Sequence, residues 1–412
     1  MNNTIKLAVA AALLAGASTA NAGIMIPAGD WTLDIGGIVN AYYTSTRASG
    51  AATVGYGGAL FTANNDTGTK TASNITTGLL PNYLSVSGKT RQNDLDVGFT
   101  ISINPGASTT SAGIQSFNNG AGARQENRQA FLTFGDKSWG SIKLGKDLGI
   151  FASDAILNDM TLLGVGSGAG GLAGNDTTTG RIGTGFMYAD WKAQIAYSSP
   201  NWNGFSFTGG VTQAWNAINV GGITTANGTS KGRGGSSPAF EGKASYEWAG
   251  DFGGKVWVSG ITQKVEGLVA GTVNDRADAF DIGANVNVAG FGLTGYYYKG
   301  QGIGQTVQLN GGFDNAGQAR DSDGYYVQGT YTIPTVGTKI GLSWGESKLD
   351  GNGAADTILV GNTLKDSMWT IGVYHPITKH LNLVAEYSDV KSKLAATTGK
   401  SKTVDFGAIL FF

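Results

Sequence analysis

The sequence ends Thr403-Val404-Asp405-Phe406-Gly407-Ala408-Ile409-Leu410-Phe411-Phe412, and this segment carries the clearest sign of the architecture. Val404, Phe406, Ala408, Leu410 and Phe412 fall on one face of an extended chain, and Thr403, Asp405 and Gly407 on the other, a period of two that marks a strand with one apolar and one wet face. The same alternation sets Phe240, Ala244, Tyr246 and Trp248 against Glu241, Lys243, Ser245 and Glu247. It sets Phe280, Ile282, Ala284, Val286 and Val288 against Asp281, Asn285 and Asn287, and Leu381, Leu383, Ala385 and Tyr387 against Asn382, Glu386 and Ser388. Marking every such segment, from Trp31 to Thr44 and Tyr83 to Gly88 through His380 to Ser388 and Val404 to Phe412, gives sixteen expected strands.

The connections alternate in length. Long polar stretches (Arg47 to Gly78, Pro105 to Asn127, Asp147 to Trp191, Asn216 to Ala239, Gly300 to Gly324) take turns with short ones (Gly135 to Trp139, Pro200 to Gly204, Ala249 to Gly253, Ala289 to Gly290, Pro376 to Lys379). An even-stranded, up-and-down antiparallel barrel with short turns at one rim and long loops at the other has this rhythm, with both termini on the short-turn side. At the start, Lys6 precedes the apolar run Leu7 to Ala17 and then Ala20-Asn21-Ala22, which reads as an export signal cleaved to leave Gly23 first. The run is well short of the ~20 residues of a spanning helix. The rest of the chain, residues 23–412, reads as one barrel domain.

Composition narrows the class. The chain has no cysteine, so disulfides, thiolate metal sites and a lipidated cysteine are excluded, and 67 Gly with 10% aromatics disfavours helix. Basic and acidic residues number 28 and 29, a balance that gives no reason to expect a nucleic-acid partner. The apolar faces must point outward: a sheet this long closed around its greasy side would enclose more volume than its Gly and Ala could fill. Facing lipid, a closed barrel pairs every backbone group and has no edge, and sixteen strands leave a lumen wide enough for water. Tyr246, Trp248, Trp344, Trp369, Tyr374 and Tyr387 are the expected interfacial aromatics. The expectation is therefore an all-β, 16-stranded antiparallel transmembrane β-barrel.

Two places resemble the general, trimeric porins of Gram-negative bacteria. One is the terminal strand ending in Phe412, similar to the aromatic C-terminal signature by which that family is recognised for assembly. The other is Asn127-Arg128-Gln129-Ala130-Phe131 followed by Gly140-Ser141-Ile142-Lys143-Leu144-Gly145-Lys146, which resembles the hairpin preceding the family's constriction loop. The resemblance implies an outer-membrane pore for passive diffusion of small hydrophilic solutes and ions, a homotrimer, and delivery of the C-terminal strand to the barrel-assembly machinery. It implies that the third loop, 147–191, folds into the lumen, with Asp154 and Asp159 as pore-lining acids and Arg128, Lys143 and Lys146 as pore-lining bases. Alternation favours Lys143, whose neighbours Ile142 and Leu144 point away, over Arg128, which shares a face with Ala130, Leu132 and Phe134. The chain departs from the family where its acidic loop tip falls on the uncharged Thr161-Leu162-Leu163-Gly164-Val165-Gly166, and where expected wall arginines fall on Tyr83 and Ala189. Weak charge selectivity follows. A solute-specific channel for sugars or organic anions is the alternative of the same architecture, and a secreted β-rich adhesin the alternative of another class.

Catalytic and cofactor motifs do not assemble. The two histidines, His375 and His380, flank one short turn. Gly341-Leu342-Ser343-Trp344-Gly345 lies inside a strand with no helix to make a nucleophile elbow, and Gly166-Ser167-Gly168-Ala169-Gly170-Gly171 lacks the strand and helix that a dinucleotide loop needs. Asp321 and Asp323, with Asp314 nearby, are weak candidate calcium ligands in an external loop. No cofactor is expected.

Overall fold

A computed structural model of the protein describes residues 23–50, 70–107, 125–170, 177–218, 236–271, 273–354 and 356–412. The expected export signal lies outside these residues. All sixteen expected strands form, many of them longer at the rim than alternation alone marks. They are β1 (Trp31–Gly50), β2 (Tyr83–Gln92), β3 (Leu95–Pro105), β4 (Ala130–Asp136), β5 (Gly140–Leu148), β6 (Trp191–Ser198), β7 (Phe205–Thr212) and β8 (Ala239–Trp248). The second half comprises β9 (Phe252–Gly267), β10 (Val273–Val288), β11 (Phe291–Gln301), β12 (Asp321–Thr332), β13 (Lys339–Asp350), β14 (Thr363–Pro376), β15 (Leu381–Leu394) and β16 (Thr397–Phe411).

Each strand pairs antiparallel with the next, and β16 closes on β1 in the register Ile38 to Phe411 through Gly50 to Gly399. Closure satisfies the last edge, so no backbone ladder of the wall is left to lipid. At the short-turn rim the connections are as tight as two residues. Asn93 and Asp94 both adopt positive φ between β2 and β3, as Ala289 and Gly290 do between β10 and β11, the mirror-image turns whose twist suits a hairpin.

The apolar face points outward. Phe406 is 60% exposed and Leu293 63%, while Thr403, Asp405 and Ser401 on the opposite face of β16 are buried. Tyr246 stacks on Trp248, Trp344 packs on Tyr325 and Trp369 on Tyr387, all on the outer wall. Tyr374 departs from the expected girdle: one residue out of phase with Trp369, Ile371 and Val373, it turns inward and is buried against Glu386.

Short strands add to the wall beyond what alternation shows. Ile24–Ala28 forms a hairpin with the start of β1, and Thr71–Thr76 pairs with its far half while β2 takes the near half. Between them, residues 77–82 leave the wall, and Thr77 and Leu79 are buried inside.

Candidate functional site

The segment between β5 and β6 leaves the rim through a neck in which Gly149 N donates to Asp190 O at 2.7 Å. It then turns inward, because the wall's inner face supplies the hydrogen-bond partners that a loop directed into a barrel must find. Ile150 N and Phe151 N both donate to Glu241 Oε2 on β8 at 2.8 Å, and Ala152 N to Ser259 Oγ on β9 at 3.1 Å. One short helix follows, α1 (Ser153–Leu157), whose Ala155 O accepts from Tyr326 on β12 at 2.9 Å. Gln328 on β12 accepts from Met160 N and donates to Asn158 O. The tip reaches β15, where Glu386 Oε2 accepts from Val165 N at 2.9 Å and Gly166 N at 2.7 Å. Beyond it Gly168 N donates to Thr403 Oγ1 on β16, and Tyr42 on β1 donates to Leu163 O at 2.7 Å.

The tip is built of glycine for a reason of space. A Cβ on Gly164 would lie 2.4 Å from the Glu386 carboxylate carbon, a side chain held in place by three donors, and Gly166 sits at φ +59° with Gly180 Cα 2.7 Å from where its Cβ would be. The returning limb is anchored in turn: Gly185 N donates to Ser347 Oγ at 2.9 Å, and Arg181 donates to Met368 O at 3.0 Å and to the Ser343 hydroxyl. Ser343, the serine of the Gly-Leu-Ser-Trp-Gly string, is thus an inward strand residue receiving a guanidinium.

Asp154, on α1, sits between two wall lysines, with Lys255 Nζ at 2.6 Å from one oxygen and Lys243 Nζ at 3.1 Å from the other. Burial alone would raise its carboxyl; the two ammonium groups outweigh that and hold it below the usual range. Lys143 faces inward beside Thr133, pairs with Asp147 and lies 4.9 Å from the centre of the Phe131 ring.

The other three expected pore-lining charges are placed elsewhere. Asp159 is buried: it caps the 3₁₀ turn Met160–Leu163 through Thr161 and lies 3.7 Å from Arg181, both side chains fully covered. Burial pushes its carboxyl up and the Arg181 guanidinium down. Lys146 is one residue out of phase with Lys143 and Asp147, so it faces outward and donates to Asn127 O at 2.7 Å. Arg128 precedes β4 and is buried against Glu126 at 2.9 Å, its guanidinium over Trp191. Of the two family arginine positions, Tyr83 lies on the inner face of β2, packed against the cluster around Ile38 and Tyr42, and Ala189 is buried at the loop neck.

Asp321 and Asp323 share the outer face of β12, and Asp323 lies 3.7 Å from Lys348. Asp314 is buried among Ala316 N, Gln318 N and Asn352, so the three do not converge. Among the described residues no group of three acidic or histidine side chains could hold a metal. Phe412 exchanges hydrogen bonds with Gly37, N to O at 3.0 Å and O from N at 2.8 Å, closing the seam at the rim.

A closed sixteen-stranded wall, polar within and apolar without, holds a long loop inside it. A family model described as Gram-negative porin matches residues 8–395. The chain belongs to the Gram-negative porins. It is an outer-membrane channel protein of the β-barrel class.

Solved structures bear the same fold. The outer membrane channel DcaP of Acinetobacter baumannii is 16% identical with a TM-score of 0.67, covering 95% of this chain and 99% of that one. The anion-selective porin from Comamonas acidovorans is 16% identical with a TM-score of 0.59, covering 93% and 100%. OmpF of Salmonella typhi, in complex with daunomycin, is 15% identical with a TM-score of 0.55, covering 94% and 100%. No curated protein matches the sequence.

The porin's inner charges include several that sequence reasoning did not single out. Lys243, Lys255 and Glu386 stand on the wet faces that alternation reveals, but their partners come from a loop about 90 to 220 positions away in the chain. Lys192 and Glu241 form a fully buried pair at 2.5 Å at the loop's neck, and Arg181 belongs to the loop itself. Alternation places Glu241 on a wet face, but no local pattern discloses its pairing with Lys192 or the inward path of Arg181.

Proposed function

We propose that this porin is a passive diffusion channel for small hydrophilic solutes and ions, narrowed by segment 147–191 and weakly selective for anions. The observation that carries it is the imbalance of exposure among the inner charges. Lys143, Lys243 and Lys255 keep 30%, 27% and 23% of their side-chain surface accessible, while Asp147 and Asp154, which they pair with, keep 11% and 3%. The accessible charge at this level therefore leans positive, tempered by Glu247, which pairs with Lys255 at 3.1 Å and is 55% exposed. In a narrow aqueous aperture with low-dielectric walls, such a surplus biases which ions enter without excluding either sign.

The homotrimer, the export signal ending at Ala22 and recognition of Phe412 by the assembly machinery belong to the same proposal, supported by family membership. The test is the zero-current potential of the reconstituted porin across a salt gradient. A modest potential of anionic sign is expected; a clearly cationic one contradicts the assignment of Lys143, Lys243 and Lys255 to the open surface. Block of conductance by millimolar sugar or organic anion would instead mark a solute-specific channel.

A further inference from the structure

The segment joining β11 to β12, residues 302–320, is polar and glycine-rich like an ordinary external loop, yet most of its residues are buried, with Asn315, Ala316 and Gln318 the exposed ones. Gln305, Phe313 and Asp314 have no exposed surface, and Leu309 has 1%. Its anchors explain how. Gln305 Nε2 donates to Ser347 O on β13 at 2.9 Å, while Gln308 Oε1 accepts from Lys192 Nζ on β6 at 2.6 Å. Strands β6 and β13 stand seven apart in the ring of sixteen, close to opposite one another. The two glutamines are three residues apart. A segment tied at once to both walls crosses the lumen.

Its other contacts make it a keystone. Tyr188 N donates to Thr306 O at 2.9 Å and Gln308 Nε2 to Ala189 O at 3.2 Å, seating it on the returning limb of segment 147–191. Gly311 N donates to Ile218 O at 2.9 Å in the loop after β7. Arg320 Nε and Nη2 donate to Asp356 Oδ2 and Oδ1 at 2.6 and 2.7 Å, a fully buried bidentate pair that fixes its end to the loop after β13. A loop held by two wall strands and three other loops across an aqueous bore restricts what passes beneath it, whatever charge it carries.

We propose that segment 302–320 is a second inward-folded loop which, with segment 147–191, sets the size limit of the pore. This rests on the diffusion-channel reading above. The test replaces residues 304–318 with a short Gly-Ser linker and, separately, makes Gln305→Ala with Gln308→Ala, which cuts both wall anchors without shortening the chain. Each variant is first checked for folding by its heat-modifiable migration on gels. Single-channel conductance in KCl and swelling of liposomes in pentose, disaccharide and tetrasaccharide are then measured.

The expected result is a conductance increase of roughly twofold for the shortened loop, with entry of a larger saccharide than the parent admits, and a smaller increase in the same sense for the double substitution. A folded shortened variant with parental conductance and size limit overturns the proposal. If that variant does not fold, parental values for the folded double substitution overturn it. A folded parent that conducts nothing overturns the channel reading itself, and this inference with it.

Discussion

Glu386 holds the tip of the inward loop, and removing it should release that tip by a calculable amount. Its carboxylate accepts from the backbone N–H groups of Val165 and Gly166 at 2.9 and 2.7 Å, in a site with no exposure for Val165. Hydrogen bonds to a charged acceptor contribute about 1.5–3 kcal/mol each, and a buried donor left unpaired costs about 1–3 kcal/mol. Glu386→Ala strands both donors. Because water inside the barrel can partly re-solvate them, the low end applies, about 3 kcal/mol for the pair, or on the order of a 100-fold rise in the released population.

Glu386→Gln keeps an acceptor but loses the charge, about 1 kcal/mol per bond and roughly 10–30-fold in all. The chain has no cysteine, so Val165→Cys supplies a single label site whose modification by a water-soluble maleimide reports release. Labelling in the Ala background should run about 100-fold faster than in the parent, with Gln between them. Equal rates in all three backgrounds would refute the claim that Glu386 anchors the tip. The other tip contacts, among them Tyr42 to Leu163 O, Leu79 N to Gly164 O and Thr178 Oγ1 to Val165 O, are common to every background and cancel in the comparison.

Three further outcomes follow from named contacts. Asp154→Asn removes the carboxylate that Lys243 and Lys255 share, so the zero-current potential should move further toward anions. Its carboxyl is held below the ordinary range, so its charge and its stabilising contacts are present above that range and lost only as pH falls through the depressed value. The difference between parent and variant should therefore be the same at pH 7 and pH 5, and a difference that fades by pH 5 contradicts the pairing. Arg320→Met strands the buried Asp356 carboxylate at about 3–5 kcal/mol, so limited proteolysis within 302–362 should accelerate at least about 100-fold while the barrel stays folded, and Asp356→Leu added to it should recover much of the loss. Deleting Phe412 removes the reciprocal hydrogen bonds to Gly37, about 1–3 kcal/mol at the closing seam, and should lower the yield of heat-modifiable barrel; an undiminished yield counts against a closing role for that residue.

The wall was legible in the sequence because lipid and water face its two sides and the side-chain period is two. Val404, Phe406 and Leu410 against Thr403 and Asp405 need no knowledge of any partner to be assigned their faces. Phase alone also separates Lys143 from Lys146, yet a motif match at the level of the hairpin treats them alike, and the structure follows phase. The loops carry no such period. Asp159 sits where a family offset places a pore acid, but the offset does not disclose that Arg181, 22 residues on, turns back to cover it. Segment 302–320 reads as solvent-exposed because Gly, Gln and Asn dominate it. Its burial depends on Lys192 and Ser347, each lent by a different part of the wall. Glu386 was visible as a wet-face residue and silent as an anchor, since its partners are backbone amides that any sequence offers.

Whether this porin conducts is read by adding the purified, heat-modifiable protein to a planar bilayer and recording current at low voltage. A passive trimeric channel gives discrete, ohmic conductance steps that come in threes and are not blocked by millimolar sugars; folded protein that inserts and yields no conductance is not such a channel.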